Sequence, residues 1–149
     1  MTLRRYTNQL GFPVFSVDYR LAPEHWYPKG LSDCWQAYLW ILKYSRKYLG
    51  LKFSKILLTG DSAGGNLLLG VTNLCILKGV RAPDGIHPLY TPVACAHSSF
   101  TPSTCNQIDD DFVNSSFLNL CLGYYLDEFA DPEVDCFISP ICTPKLLLE

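Results

Sequence analysis

The chain is short of charge. Only 17% of its 149 residues are Asp, Glu, Lys or Arg, against about 25% in an ordinary soluble domain. Twelve basic and 14 acidic residues leave a net charge of −2. No basic stripe is evident, so a nucleic-acid partner has no electrostatic footprint. Long apolar runs are missing too. The longest notable uncharged stretch, residues 62–77, carries Asn66 and Asn73 and falls short of the roughly 20 apolar residues a membrane-spanning helix needs. No apolar leader core follows Met1, because Thr2, Leu3, Arg4, Arg5 and Tyr6 come next. The seven cysteines (34, 75, 95, 105, 121, 136 and 142) form no C-x-x-C pair, so their spacing announces no zinc site. An odd count forbids complete internal pairing. Free thiols in a reducing compartment, several acting as small apolar side chains, account for them.

What is present is apolar. The hydrophobic share is 48%, which excludes disorder as a global description. The length suggests one domain. A compact chain of this size buries roughly 70% of its unfolded surface.

The pattern alternates short strands with helices. Residues 14–17 are a β-favouring run bounded by Gly11 and Asp18. Residues 19–30, with Pro23, Pro28 and Gly30, read as an ordered loop. Leu31, Trp35, Tyr38, Leu39, Leu42 and Leu49 recur at helical spacing, and Gly50 marks a stop. Residues 55–59 are apolar without alternation, as strands of a buried parallel sheet are. A glycine-rich turn over 60–65 leads to a helix over 66–78 that Gly79 ends. Residues 82–85 form a turn. A third strand over 86–96 is weakened by Pro88 and Pro92. Residues 98–111 read as a loop, 114–127 as a helix and 131–149 as irregular chain. The order predicts an α/β fold with a mostly parallel sheet and flanking helices.

One motif carries chemistry. Gly60-Asp61-Ser62-Ala63-Gly64 is G-x-S-x-G, set between a predicted strand and a predicted helix. That context defines a nucleophile elbow. The serine must stand on a tight, strained turn at the end of a strand. Gly60 and Gly64 are expected to let strand and helix approach where a Cβ would clash. The Ala63 N–H, at the helix N-terminus, then faces the oxygen of a tetrahedral intermediate.

Asp18 to His25, then Pro28, Asp33, Ala37 and Trp40, then Gly60-Asp61-Ser62-Ala63-Gly64-Gly65-Asn66-Leu67 together resemble the hormone-sensitive lipase family of α/β hydrolases. Gly79-Val80-Arg81 and Pro83-Asp84-Gly85-Ile86 look more like the family's lipase branch than its arylacetamide deacetylases. Ser139-Pro140 resembles the family's Ser-Pro-Leu segment, with Ile141 in place of Leu. Trp26-Tyr27 and Tyr90-Thr91-Pro92 depart from the family pattern.

The resemblance implies a serine carboxylic-ester hydrolase. Its substrates would be lipophilic esters such as acylglycerols or cholesteryl esters, and it would use no cofactor. It implies that Ser62 is the nucleophile, that Ala63 gives one oxyanion N–H, and that Gly60, Asp61, Gly64 and Gly65 shape the elbow. It makes residues 19–24 a structural brace, with no chemical role for Arg20 or Glu24. It also implies a cytoplasmic protein, with a lipid-droplet surface as a site of action for the full-length parent.

A serine needs a base, and the base needs an orienting acid. In this fold the order is Ser, acid, His. His87 and His97 follow Ser62 too early in that order, and His25 precedes it. Asp109, Asp110 and Asp111 are adjacent carboxylates with no spaced His. They read as a helix-approach loop, not a metal site. Asp127, Asp131 and Asp135 lie in a polar connection. The family's His-Gly-Gly-Gly loop is absent. The expectation is therefore the central part of one α/β-hydrolase domain, incomplete at both ends over 1–149. Such a piece alone is expected to be inactive, and poorly folded or aggregation-prone. The alternatives are a non-catalytic small-ligand-binding protein on the same fold, and an inactive gene-model fragment.

Overall fold

A computed structural model describes residues 3–96, 101–102, 106, 108 and 110–148. The elements are α1 (Leu3–Leu10), α2 (Lys29–Leu49), β1 (Leu57–Asp61), α3 (Ala63–Lys78), β2 (Gly85–Leu89) and α4 (Ser115–Tyr125). Two 3₁₀ turns, Pro140–Cys142 and Lys145–Leu147, sit in the C-terminal segment. β1 and β2 pair in parallel, in a register running from Leu57 opposite Gly85 to Asp61 opposite Leu89. α3 is the crossover between them.

Both long helices end where the glycines stand. Gly50 takes φ 67° and returns its N–H to the Ser45 carbonyl. Gly79 takes φ 62° and returns its N–H to Cys75 and Ile76. Arg46, Lys47 and Lys78 occupy the last turns, where cations suit the helix dipole. α4 starts at Asn114, whose side chain accepts the Phe117 N–H at 2.8 Å.

The core lies between α2 and α3 and over β1. Leu31, Tyr38, Leu67, Val71 and Cys75 are buried together, with Leu42, Ile56, Leu58, Leu74 and Phe137 packed around them. Each such fully buried aliphatic side chain stabilises by about 1.5–3 kcal/mol. The two helices touch at Gly70, where a Cβ would come within 2.9 Å of Leu31 Cδ1. Tyr38 donates its hydroxyl proton to the Arg81 carbonyl at 2.9 Å and so ties α2 to the turn before β2. That turn also grips the residues leading into β1: Ile56 N–H donates to Asp84 Oδ2 at 2.8 Å, and Arg81 Nη2 donates to Asp84 and to the Ser54 carbonyl.

Four expectations shift. Residues 14–17 form no strand, and Val14, Phe15 and Val17 are exposed. A β-favouring run builds a ladder only beside a partner, and among the described residues none lies next to it. β1 begins at residue 57 instead of 55 and runs into Asp61, because the Asp84 clamp holds Ile56 outside the ladder. It is not buried: Leu57 is 66% exposed, since β2 covers only one of its edges. β2 stops at Leu89, short of the expected 96, because Tyr90 turns to φ 37°. Pro88 is tolerated within it.

The accessible surface, 10504 Å², exceeds the roughly 7,700 Å² of a compact monomer of 16.8 kDa. The expected loop over 98–111 lies largely outside the described residues, as do His97 and Asp109.

Candidate active site

The strand-to-helix turn places Ser62 between the last residue of β1 and the first of α3. Ser62 adopts φ 50° and ψ −121°, a backbone conformation that costs a non-glycine residue of order 1–3 kcal/mol. The surroundings hold it there. Its N–H donates to the Leu89 carbonyl of β2 at 2.9 Å, and its own carbonyl accepts the Asn66 N–H at 3.2 Å. Its side chain makes no capping bond, and among the described residues Oγ has no partner. Ser62 and Ala63 are both exposed. Ala63 opens α3, so its N–H is one of the helix's unpaired donors. An exposed hydroxyl beside a free N–H at a helix N-terminus can attack a carbonyl carbon and receive the developing oxyanion.

The glycines divide the work differently from the expectation. A Cβ on Gly60 would overlap the Gly64 carbonyl and come within 2.8 Å of Gly65 N. A Cβ on Gly65 would collide with the Thr91 side chain. A Cβ on Gly64 would meet nothing within 4 Å. Gly64 contributes its backbone to the close approach, and Gly60 is the residue that must lack a side chain. Asp61 accepts a hydrogen bond from the Tyr90 hydroxyl at 3.1 Å, which ties the end of β1 to the residue after β2.

α3 is anchored behind the turn by two buried amides. Asn66 Nδ2 donates to the Pro92 and Ile138 carbonyls at 2.9 and 2.8 Å. Asn73 Nδ2 donates to the Cys136 carbonyl and to Thr143 Oγ1. Two turns apart, they share a face of α3 and bind both Pro92 and the C-terminal segment to it. That spacing is visible in the sequence and was the available signal. Ser139, fully buried, accepts the Cys95 N–H at 3.0 Å and donates to the Pro132 carbonyl.

The other candidates lie apart from this turn. His87 pairs with Thr59 in the ladder, its Nδ1 3.3 Å from Thr59 Oγ1. Asp110 accepts the Phe112 and Val113 N–H groups at 2.8 and 2.7 Å, and these bonds lower its pKa. Asp127 and Asp131 close their own turns through Phe129 and Glu133 N–H. Asp135 accepts the Tyr27 hydroxyl at 2.8 Å. Burial and then this bond push the Tyr27 pKa well above its usual value. Tyr27 also donates its N–H to the Tyr125 carbonyl and meets the Tyr125 ring edge-on. Its part in the fold could not be read from the sequence, because its partners are about a hundred residues away.

Arg20 forks onto Asp33 with bonds of 2.8 and 2.7 Å and adds its backbone N–H at 3.0 Å. These bonds hold the Asp33 carboxyl down at about 2. Arg20 is thus spent as a brace between the loop and α2. Six cysteines, 34, 75, 95, 121, 136 and 142, are free thiols, and burial raises the pKa of Cys34 to about 11. Among the described residues no group of three His, Cys, Asp or Glu side chains could hold a metal ion, and no helix is long and apolar enough to cross a membrane.

Comparison with known proteins gives this geometry a context. A family model of the alpha/beta hydrolase fold matches residues 1–148. Hormone-sensitive lipase of Mus musculus is 40% identical over 133 residues, covering 89% of this chain and 17% of that protein. Lipase 2 of a Moraxella species is 52% identical over 107 residues, covering 72% of this chain and 22% of that protein. The crystal structure of a Pyrobaculum calidifontis esterase superposes with a TM-score of 0.85 at 30% identity, covering 95% of this chain and 46% of that one. The chain thus spans about a fifth of the length of these two lipases and under half of the esterase.

Proposed function

We propose, from the premise that this chain belongs to the alpha/beta hydrolase fold family, that it carries the nucleophile of a serine carboxylic-ester hydrolase. Ser62 Oγ attacks the ester carbonyl carbon while its proton passes to a histidine base. The carbonyl oxygen becomes an oxyanion and accepts the Ala63 N–H. Collapse expels the alcohol and leaves an acyl ester on Ser62. Water then releases the carboxylic acid.

One observation carries this reading: an exposed serine, held at φ 50° on the turn between a parallel strand and its crossover helix, beside an unpaired helix-terminal N–H. In keeping with the order Ser, acid, His, the acid and base belong to residues outside these 149, which form the central part of one domain. The 149 residues alone are then inactive. Lipophilic esters such as acylglycerols or cholesteryl esters are the proposed substrates, since the similar proteins include lipases. The proposed setting is cytoplasmic.

The test is labelling by a fluorophosphonate probe in the complete protein. Label is expected on Ser62, and Ser62→Ala should abolish it. Label retained in that variant overturns the assignment. A wild type that takes no label yet still binds a small ester ligand points to the binding-protein reading instead.

A further inference from the structure

The end of β2 holds the serine turn by more than the strand ladder. Leu89 stands opposite Asp61 in the register. The residues after it, Tyr90-Thr91-Pro92, are those that depart from the family pattern. All four reach the turn or the helix behind it. The Leu89 carbonyl accepts the Ser62 N–H at 2.9 Å. The Tyr90 hydroxyl donates to Asp61 Oδ2 at 3.1 Å. The Thr91 side chain fills the space a Cβ on Gly65 would need. The Pro92 carbonyl accepts Asn66 Nδ2 at 2.9 Å.

Ser62 and Tyr90 are also the two non-glycine residues at positive φ among the described residues, at 50° and 37°. Such conformations persist only where the surroundings over-determine them. The Leu89 bond fixes the peptide before Ser62, and the Asn66 N–H fixes the carbonyl after it. Asp61, the residue in front of Ser62, is fixed through its side chain by Tyr90. That bond raises the Tyr90 pKa, so the phenol keeps the proton it donates.

We infer that Tyr90 is a positioning residue for the nucleophile, acting through Asp61. The inference rests on the serine-hydrolase reading of Ser62. Without the Tyr90 bond, the Asp61–Ser62 segment relaxes toward an ordinary φ, and Ser62 Oγ leaves the line of attack on the ester carbonyl. Tyr90 touches no reacting atom. Its loss therefore slows the chemical step and leaves substrate binding as it was.

The experiment uses the complete protein, with a fluorophosphonate probe and p-nitrophenyl butyrate as substrate. Tyr90→Phe keeps the ring and removes the donor. It should lower the labelling rate and kcat about tenfold, with KM unchanged and Tm within about 2 °C. Asp61→Leu should slow labelling similarly, and adding Tyr90→Phe to it should cost nothing more, because the pair acts as a unit. A Tyr90→Phe variant that labels at the wild-type rate overturns this inference alone. So does a further tenfold loss in the double variant, or a loss in Tyr90→Phe that appears only in KM. A wild type that takes no label overturns the hydrolase reading, and this inference with it.

Discussion

α3 and β1 are joined by one residue, and both carry leucines, yet they end in opposite states. α3 buries Leu67, Leu68, Val71 and Cys75, and its two buried amides are satisfied by four acceptors. β1 buries none of its residues, and the apolar run over 14–17 is exposed as well. The difference lies in the neighbours. α3 has α2 on one side, the sheet beneath and the C-terminal segment behind. β1 has β2 along one edge and, among the described residues, nothing along the other. Apolar sequence marks what can be buried, and only a second element buries it.

The largest effect that could break this contrast is in hydrogen exchange. If these residues are the middle of one domain, the complete protein should protect the amides of residues 14–17 and of β1. In the 149-residue chain the same amides should exchange roughly a thousandfold faster, since an open segment costs almost nothing to expose. Equal protection of those amides in both proteins would sink the incomplete-domain reading, as would a cooperative unfolding transition of the 149 residues alone.

Next in size is the turn where the two regions meet. Gly60→Val puts a side chain against the Gly64 backbone, which cannot swing away. We expect a loss of about 3 kcal/mol, together with loss of fluorophosphonate labelling. Gly64→Ala meets open space in the first turn of a helix and should be neutral or stabilise by about 0.5 kcal/mol. Denaturant unfolding of both variants in the complete protein checks the ranking. The reverse order would mean that the turn is held by Gly64.

The same contrast explains what the sequence makes legible. Where local rules decide, the reading holds. The serine turn follows from its glycines between strand and helix, and both long helices stop at a left-handed glycine, Gly50 and Gly79. Where a distant partner decides, the reading slips. The run over 14–17 has strand composition and no strand. β1 lost its first two residues to a carboxylate 28 positions away, Asp84 on Ile56. The steric need for glycine falls on Gly60 and Gly65, because Thr91, outside the motif, is what Gly65 faces. Tyr27 reads as a departure from the family pattern and proves to bind Asp135 and Tyr125.

The smallest effects lie at the two ends of the pH scale, one for each kind of region. In the closed half, burial first, and then the neighbouring Cys75, raise the Tyr38 pKa from 10.0 to about 12. Its contribution is complete below pH 10 and declines as pH rises toward 12. On the exposed loop, the Arg20 fork lowers the Asp33 pKa from 3.8 to about 2. That contribution is complete above pH 4 and is lost as pH falls toward 2. Tyr38→Phe should therefore flatten only the alkaline edge of a melting-temperature profile. Asp33→Asn should flatten only the acid edge, and less so in high salt, because its partner is exposed and screened. An acid edge that survives Asp33→Asn unchanged would show that the brace between the loop and α2 does not contribute, and that α2 is held by its packing on α3 and by the Tyr38 bond to the Arg81 carbonyl.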